Sequence, residues 1–378
     1  MSSGGSRRYK LVVSDFHIGE GRYFKDGTRN ILEDFQYDEQ FVAFLEYYSS
    51  GDYRDAEVEL VINGDFLNLL QINYKGVYTY LMTERVVIEG LRRIIAAHNE
   101  IFKALARFAA TPGHRISYVV GNHDQGMLFN GARGLFSEAL AADVAYYDSH
   151  YEFDGVRAEH GHMHEWNSRF NPQRYFVTKG LPEPILNLPW GSIFVAEVLP
   201  KIKMERSYID KVKPFTALLL WMAIYDTVFG VRTFWRFALF VGDTLIFKFR
   251  YQFADFQSTL SNILRNLTVY PDFDSEARRV LKENPDVRTL IMGHTHVLRY
   301  RRFRGGQEFF NTGMWNEYTN LAPGGMGTHV MLTYAFVEYP EVAADVDQSA
   351  AHDKASMRPK VKLKEWKGHW SPVLDAAI

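Results

Sequence analysis

The sequence predicts an α/β layered fold, and three observations carry that expectation. Short apolar runs alternate with a long stretch of helical periodicity; glycine and proline punctuate them; and each candidate strand ends in polar, metal-competent residues. Lys10 to Ser14 (KLVVS) reads as a short buried strand ending at Asp15. Residues 58–63 (VELVIN) read as a second, ending at Gly64-Asp65. From Glu84 to about Ala110, Val87, Leu91, Ile94, Ile95, Ile101 and Leu105 recur at helical spacing, until Pro112-Gly113 breaks the chain. Residues 116–120 (ISYVV) read as a third strand, ending at Gly121. Residues 156–160 (VRAEH) and 288–292 (RTLIM) read as two more. In α/β sheets, sites form beyond the carboxyl ends of strands.

A chain of 378 residues accommodates one large domain with an insertion, or two domains. Its hydrophobic share of 47% is ordinary for a globular protein. A formal net charge of −2 gives no global basic field, so no nucleic-acid partner is expected. The absence of cysteine excludes disulfides, thiolate zinc sites and thiol catalysis. Any metal must then sit on His, Asp, Glu or Asn. The opening MSSGGSRR has no apolar run after its arginines and does not read as a signal peptide. The expected location is cytoplasmic, with peripheral contact at the inner face of the membrane as a variant.

Between about Asn171 and Asn284 the texture changes to Pro, Trp, Phe and Leu. Residues 215–225 (FTALLLWMAIY) are almost wholly apolar, and further apolar segments run to Phe249, interrupted by Arg232, Arg236 and Asp243. No uninterrupted segment reaches the roughly 18–20 apolar residues of a spanning helix. The expected organisation is therefore a core formed by 8–170 and 285–340, a helical, aromatic-rich insertion at 171–284, and a polar tail at 345–378. The insertion could pack on the core, form a homodimer or dock on a membrane surface. The tail, with Trp366, His369 and Trp370, could strap onto the domain.

Five motifs follow one another: Asp15-Phe16-His17, Gly64-Asp65, Gly121-Asn122-His123-Asp124, His160-Gly161-His162 and Gly293-His294-Thr295-His296. A carboxylate and an imidazole two apart, in a turn after a strand, can converge on one cation. A lone carboxylate such as Asp65 can offer one oxygen to each of two ions. An amide oxygen such as that of Asn122 is a neutral ligand. Singly these signals are weak, because a lone buried histidine is more often a satisfied core residue. Together and in order they point to metal, since burying so many carboxylates and imidazoles is costly without a cation.

The pattern D-x-H, GD, GNH[DE], H, GHxH resembles the calcineurin-like metallophosphoesterase superfamily over residues 8–165 and 285–335. The resemblance implies a four-layer sandwich, two mixed β-sheets flanked by helices, with metals at the strand ends. It implies one ion on Asp15, His17, Asp65 and His296, and another on Asp65, Asn122, His160 and His294, with Asp65 bridging. Asn311-Thr312-Gly313 resembles the family's turn after GHxH. His160 is preferred over His162 and His164 because it directly ends a strand and precedes glycine. His162 is expected to support the site or face substrate, and Asp124 to orient its loop.

The chemistry implied is metal-dependent phosphoester hydrolysis, in which a hydroxide bridging two ions attacks phosphorus in line. His123 would stabilise phosphoryl oxygens or protonate the leaving oxygen. Mixed O and N ligands suit Mn²⁺, Fe or Zn²⁺ better than Mg²⁺, and Mn²⁺ is the expected ion. For substrate contact the candidates are Arg22 and Lys25, after the first motif, and Arg299 with Arg301, which alternation puts on one strand face. The bland alternative for the latter pair is a solvated edge strand. SDFHIGEG, NGDFLNLL, HGH and the apolar insertion also look similar to the UDP-2,3-diacylglucosamine pyrophosphatase branch, which cleaves a lipid-linked sugar nucleotide at a membrane surface. The longer insertion, and His123 where that branch usually has Arg, depart from it. Expected substrates are thus phosphorylated small molecules or lipid-linked ones. A non-catalytic metal-binding scaffold is the alternative of another class.

Overall fold

KLVV and VELVIN carry apolar side chains at successive positions, so both faces of their strands must be covered. The computed structural model places them side by side at the centre of the larger sheet. It describes residues 7–24, 26–213, 215–244, 272–321, 326–340 and 358–368. The expectations placed on Lys25, on residues 245–249, and on His369 and Trp370 lie outside these. In chain order the longer strands are β1 (Arg8–Val13), β2 (Glu57–Asn63), β3 (His114–Val119), β4 (Val144–Tyr147), β5 (His150–Phe153) and β6 (Val156–Glu159). Then come β7 (Thr289–Met292), β8 (Leu298–Arg302), β9 (Glu308–Thr312), β10 (Trp315–Asn320), β11 (Gly327–Glu338) and β12 (Lys360–Glu365).

The eight-stranded sheet runs from a two-residue strand at 212–213 through β10, β11, β1, β2 and β3 to β4, with β12 also on β11. β1 to β4 are mutually parallel, and β11 is antiparallel to β1. The five-stranded sheet has the order β8-β9-β7-β6-β5; β6, β7 and β9 are parallel and the outer two antiparallel. Both sheets are therefore mixed. Val12, Val61, Ala158, Ile291, Phe310 and Val337 fill the space between them.

Helices α1 (Asp38–Tyr47), α2 (Glu84–Ala97), α3 (Asn99–Ala110) and α4 (Asn130–Leu140) cover the outer face of the large sheet. Phe41, Phe44, Leu91, Leu105 and Phe136 pack there around Phe16 and Trp315. The insertion contributes α5 (Trp190–Glu197), α6 (Leu199–Lys203), α7 (Phe215–Tyr225) and α8 (Thr227–Asp243). Helix α9 (Phe273–Glu283) covers the small sheet through Phe273, Ala277, Val280 and Leu281. The result is the expected four-layer sandwich.

Three sequence expectations change. The periodic stretch from Glu84 to Ala110 is two helices, not one. The break falls at His98, whose buried ring lies 2.6 Å from Asp38 Oδ1 and 3.6 Å from Glu33 Oε2. Apolar spacing continues across the break and hides it. Residues 273–283, expected within the insertion, form α9, whose apolar stripe packs on the small sheet. The tail is partly core: β12 pairs with β11 from Thr333↔Glu365 to Glu338↔Lys360, and Trp366 is buried against Phe44 and Tyr47.

Within the insertion, Lys203 is buried with its Nζ 2.6 Å from Asp34 and 2.7 Å from Asp210, tying α6 to the loop after β1. α7 and α8 pack on each other, with Leu218, Met222, Phe229 and Phe240 buried. Leu220, Tyr225, Val228, Phe234, Trp235 and Leu239 are instead at least 60% exposed. Among the described residues, no helix is long and apolar enough to cross a membrane.

Candidate metal centre

β1, β2 and β3 are parallel neighbours in one sheet, and β6 and β7 in the other, so their carboxyl ends open on the same side. The loop after β1 carries Asp15 and His17, that after β2 carries Asp65, and that after β3 carries Asn122 and His123. His160 follows β6; His294 and His296 follow β7. All these loops must turn at once. Among the described residues, five of the eight non-glycine residues with positive φ are Asp15, His17, Asp65, His294 and His296, at 52° to 68°. Such backbone is sparsely populated and persists only where its surroundings hold it. Here His17 N donates to Asp65 O at 2.9 Å, His294 N to the Asp15 carboxylate at 3.1 Å, and His123 N to Asp65 Oδ1 at 2.7 Å. Two glycines are required by close approach. A Cβ on Gly121 would collide with Asp65 Oδ1, and one on Gly64, with φ +82°, with the His160 ring.

The donors converge in three overlapping groups: Asp15, His17 and His296; His17, Asp65 and His123; and Asp65, His160 and His294. His296 Nε2 lies 3.2 Å from Asp15 Oδ1, and His160 Nε2 lies 3.1 Å from Asp65 Oδ2. The Nε2 atoms of His17 and His296 are 3.0 Å apart, so two ring nitrogens face one another and can be reconciled by a shared proton or a cation. Asn122 Oδ1 and His160 Nε2 are buried with no hydrogen-bond partner. Two carboxylates, an amide oxygen and imidazoles, some of their donor atoms buried and without a hydrogen-bond partner, fit divalent cations.

The electrostatics agree. Without cations, burial works against a charged His160, but Asp65 and Asp15 outweigh it and push the imidazole up to about 10. Burial likewise opposes ionisation of Asp15, yet His160 and His296 pull it down to about 2. A bound cation would take the place of that proton. Burial holds His17 well below the ordinary histidine range and brings His123 down to about 4, against the pull of Asp65. Asp124 is pushed up to about 7 by burial and by the Asp65 charge.

Asp124 is placed as a loop-orienting residue. Its carboxylate accepts from Gly121 N at 2.6 Å, Tyr118 Oη at 2.6 Å and Phe66 N at 3.0 Å. His123 is partly exposed, with its ring 4.4 Å from that of His17. His162 is fully buried against Phe170, both nitrogens without a hydrogen-bond partner, outside the three donor groups.

The arginines expected at the substrate each have a partner within the chain. Arg299 and Arg301 share a strand face, but both donate to Asp274 of α9, at 2.7 and 2.8 Å. The edge-strand alternative fits that pair. Arg22 donates to Gln36 O and lines a cavity of about 570 Å³ with Arg29, Tyr208, Lys211 and Glu317. One residue at the centre escaped the sequence reading. Glu165 Oε2 lies 2.7 Å from His294 Nε2. Its only sequence signal is its place directly after HGHMH.

A two-sheet sandwich with carboxylate and imidazole donors gathered at the strand ends defines a metal-binding hydrolase scaffold. The chain belongs to the calcineurin-like phosphoesterase family, whose model matches residues 10–298. The family's chemistry is metal-dependent phosphoester hydrolysis, and its members bind divalent metals. No curated protein sequence is significantly similar to this one. Among solved structures, a dimetal phosphatase from Danio rerio is similar at 9% identity and a TM-score of 0.39, covering 98% of this chain and 99% of its own. A predicted phosphoesterase from Streptococcus pneumoniae matches at 11% identity and a TM-score of 0.29, with 98% of each chain covered. Vps29 of Entamoeba histolytica, complexed with zinc, matches at 20% identity and a TM-score of 0.17 over 28% of this chain, which spans about half (48%) of that protein. Family membership rests on the family match; likenesses this distant add nothing to it.

Proposed function

We propose that this chain hydrolyses phosphoesters with two divalent ions, Mn²⁺ being the best fit to its mixed O and N donors. One ion would be held by Asp15, His17, Asp65 and His296, the other by Asp65, Asn122, His160 and His294. The observation that carries the reading is the sharing of Asp65 between donor groups on either side of it. When bound, such a pair supplies Lewis-acid charge and a hydroxide nucleophile near neutral pH. The remaining work belongs to the chain. The Asp65 carboxylate faces both positions, and the His123 backbone N–H fixes one of its oxygens. His123, neutral at pH 7 and open to solvent on one side, can donate an N–H to a phosphoryl oxygen. It can give up a proton to the leaving oxygen only once an anionic substrate raises its pKa. The purified protein loaded with Mn²⁺ is expected to cleave p-nitrophenyl phosphate or its bis-ester, and Asp65→Ala to be inert. No turnover across mono-, di- and pyrophosphate panels would sink the proposal.

The exposed apolar face of α7 and α8 favours a second, finer reading: a lipid-linked substrate of the UDP-2,3-diacylglucosamine type, met by a cytoplasmic protein at a membrane surface. Liposomes carrying an acylated pyrophosphate should then stimulate turnover, and Leu220→Ser with Trp235→Ser should abolish the stimulation. Equal rates for the two proteins on liposomes would count against it.

A further inference from the structure

His294 and His160 belong to the same donor group, yet their rings are held from opposite sides. His160 Nδ1 lies 2.9 Å from the carbonyl oxygen of Asn63, an acceptor only. The proton of a neutral His160 therefore sits on Nδ1, and its lone pair is at Nε2, the position 3.1 Å from Asp65 Oδ2 where a cation would replace the second proton. At His294 the acceptor is a carboxylate, Glu165 Oε2, and it meets Nε2 at 2.7 Å. An ionised carboxylate accepts and does not donate. The proton of a neutral His294 is then on Nε2 and its lone pair on Nδ1.

The chain builds this contact with care. Glu165 N donates to His162 O at 3.1 Å, closing the turn that follows His160. His164, inside that turn, lies 2.5 Å from Glu159 Oε1 and 3.2 Å from Arg279, which anchors the turn to β6 and α9. Both partners are largely buried, with side chains 10% and 14% exposed, so the contact is little weakened by water. A carboxylate on the far nitrogen of a metal-bound imidazole fixes its tautomer and orientation and raises its basicity.

We propose that Glu165 is a positioning residue for the second ion, holding His294 as the Nε2–H tautomer so that Nδ1 is the ligating atom. This rests on the reading above that His294 holds that ion. The test is calorimetric titration of metal-stripped protein with Mn²⁺, for the native chain and for His294→Ala, Glu165→Ala and Glu165→Gln. The native chain should take two ions and His294→Ala one. Glu165→Ala should keep two but bind the second roughly 10–100-fold more weakly, leaving the first unchanged. Glu165→Gln keeps an acceptor oxygen and should recover part of that loss; it also stands in should the alanine variant fold poorly. The unchanged first site reports on folding. If His294→Ala loses one ion while both Glu165 variants bind the second within about two-fold of native, the inference fails and the metal centre stands. If His294→Ala still takes two ions, the assignment of His294 fails, and the role of Glu165 with it.

Discussion

The strand-end centre and the α7–α8 hairpin are built on opposite principles. At the centre, strained backbone and glycines that admit no Cβ are held by hydrogen bonds between the loops, and buried donor atoms such as Asn122 Oδ1 are left for an ion. In the hairpin, one side of each helix is packed, and the other shows solvent large apolar side chains from Leu220 to Leu239. The first arrangement tolerates little change, because Asp15 and Asp65 each also accept a backbone N–H from a neighbouring loop. The second tolerates much change within the fold, because its outer face supports nothing among the described residues. The candidate metal donors are thus concentrated where the chain is most constrained, and the exposed apolar side chains lie where it is least constrained.

That contrast can be broken by experiment. The largest effect is expected from Gly121→Ala, which drives a methyl into Asp65 and should remove both metal binding and turnover, as metal stripping with a chelator should. A variant that still binds two ions would show the centre to be less constrained than described. Next, His123→Ala should lower kcat by roughly 10²–10⁴-fold while leaving Mn²⁺ stoichiometry intact, as steady-state kinetics and titration would show.

A smaller effect is expected at His98, which lies away from the metal. Burial disfavours its charge, but Asp38 and Glu33 outweigh burial and raise its pKa from 6.5 to about 9. Because the folded-state value is the higher, the protonated form stabilises the fold. That contribution is full below pH 6.5 and fades as pH rises through about 9. His98→Gln should therefore cost up to about 3 kcal/mol at pH 6 and progressively less towards pH 9.5. A stability gap constant with pH, measured by urea unfolding, would contradict this. The smallest effect is expected in the hairpin. Leu220→Ser with Trp235→Ser should leave stability within about 0.5 kcal/mol and hydrolysis of a soluble phosphoester unchanged. A large loss of either would mean that the exposed face is covered and matters to the fold.

The residues themselves explain which parts were legible. Asp15 and His17, or His294 and His296, are two apart at the end of an apolar run, and a strand end forces them towards one point. Local spacing is enough to see that. Glu165 is close to His294 only because β6 and β7 are paired in register, which no local pattern reveals. Arg299 and Arg301 do share a face, as alternation requires, but both pair with the single carboxylate of Asp274 on α9. The break at His98 was hidden because apolar periodicity runs through it. β12 was hidden because a short polar strand has little pattern until β11 supplies its partner.

The sequence alone therefore determined the donor types, their order and the strands that end at them, because these depend on neighbours in the chain. Only the tertiary structure decided which donors share Asp65, which carboxylate holds His294 and which arginines pair with α9. Those outcomes depend on register between strands and on the docking of α9, contacts between residues remote in sequence.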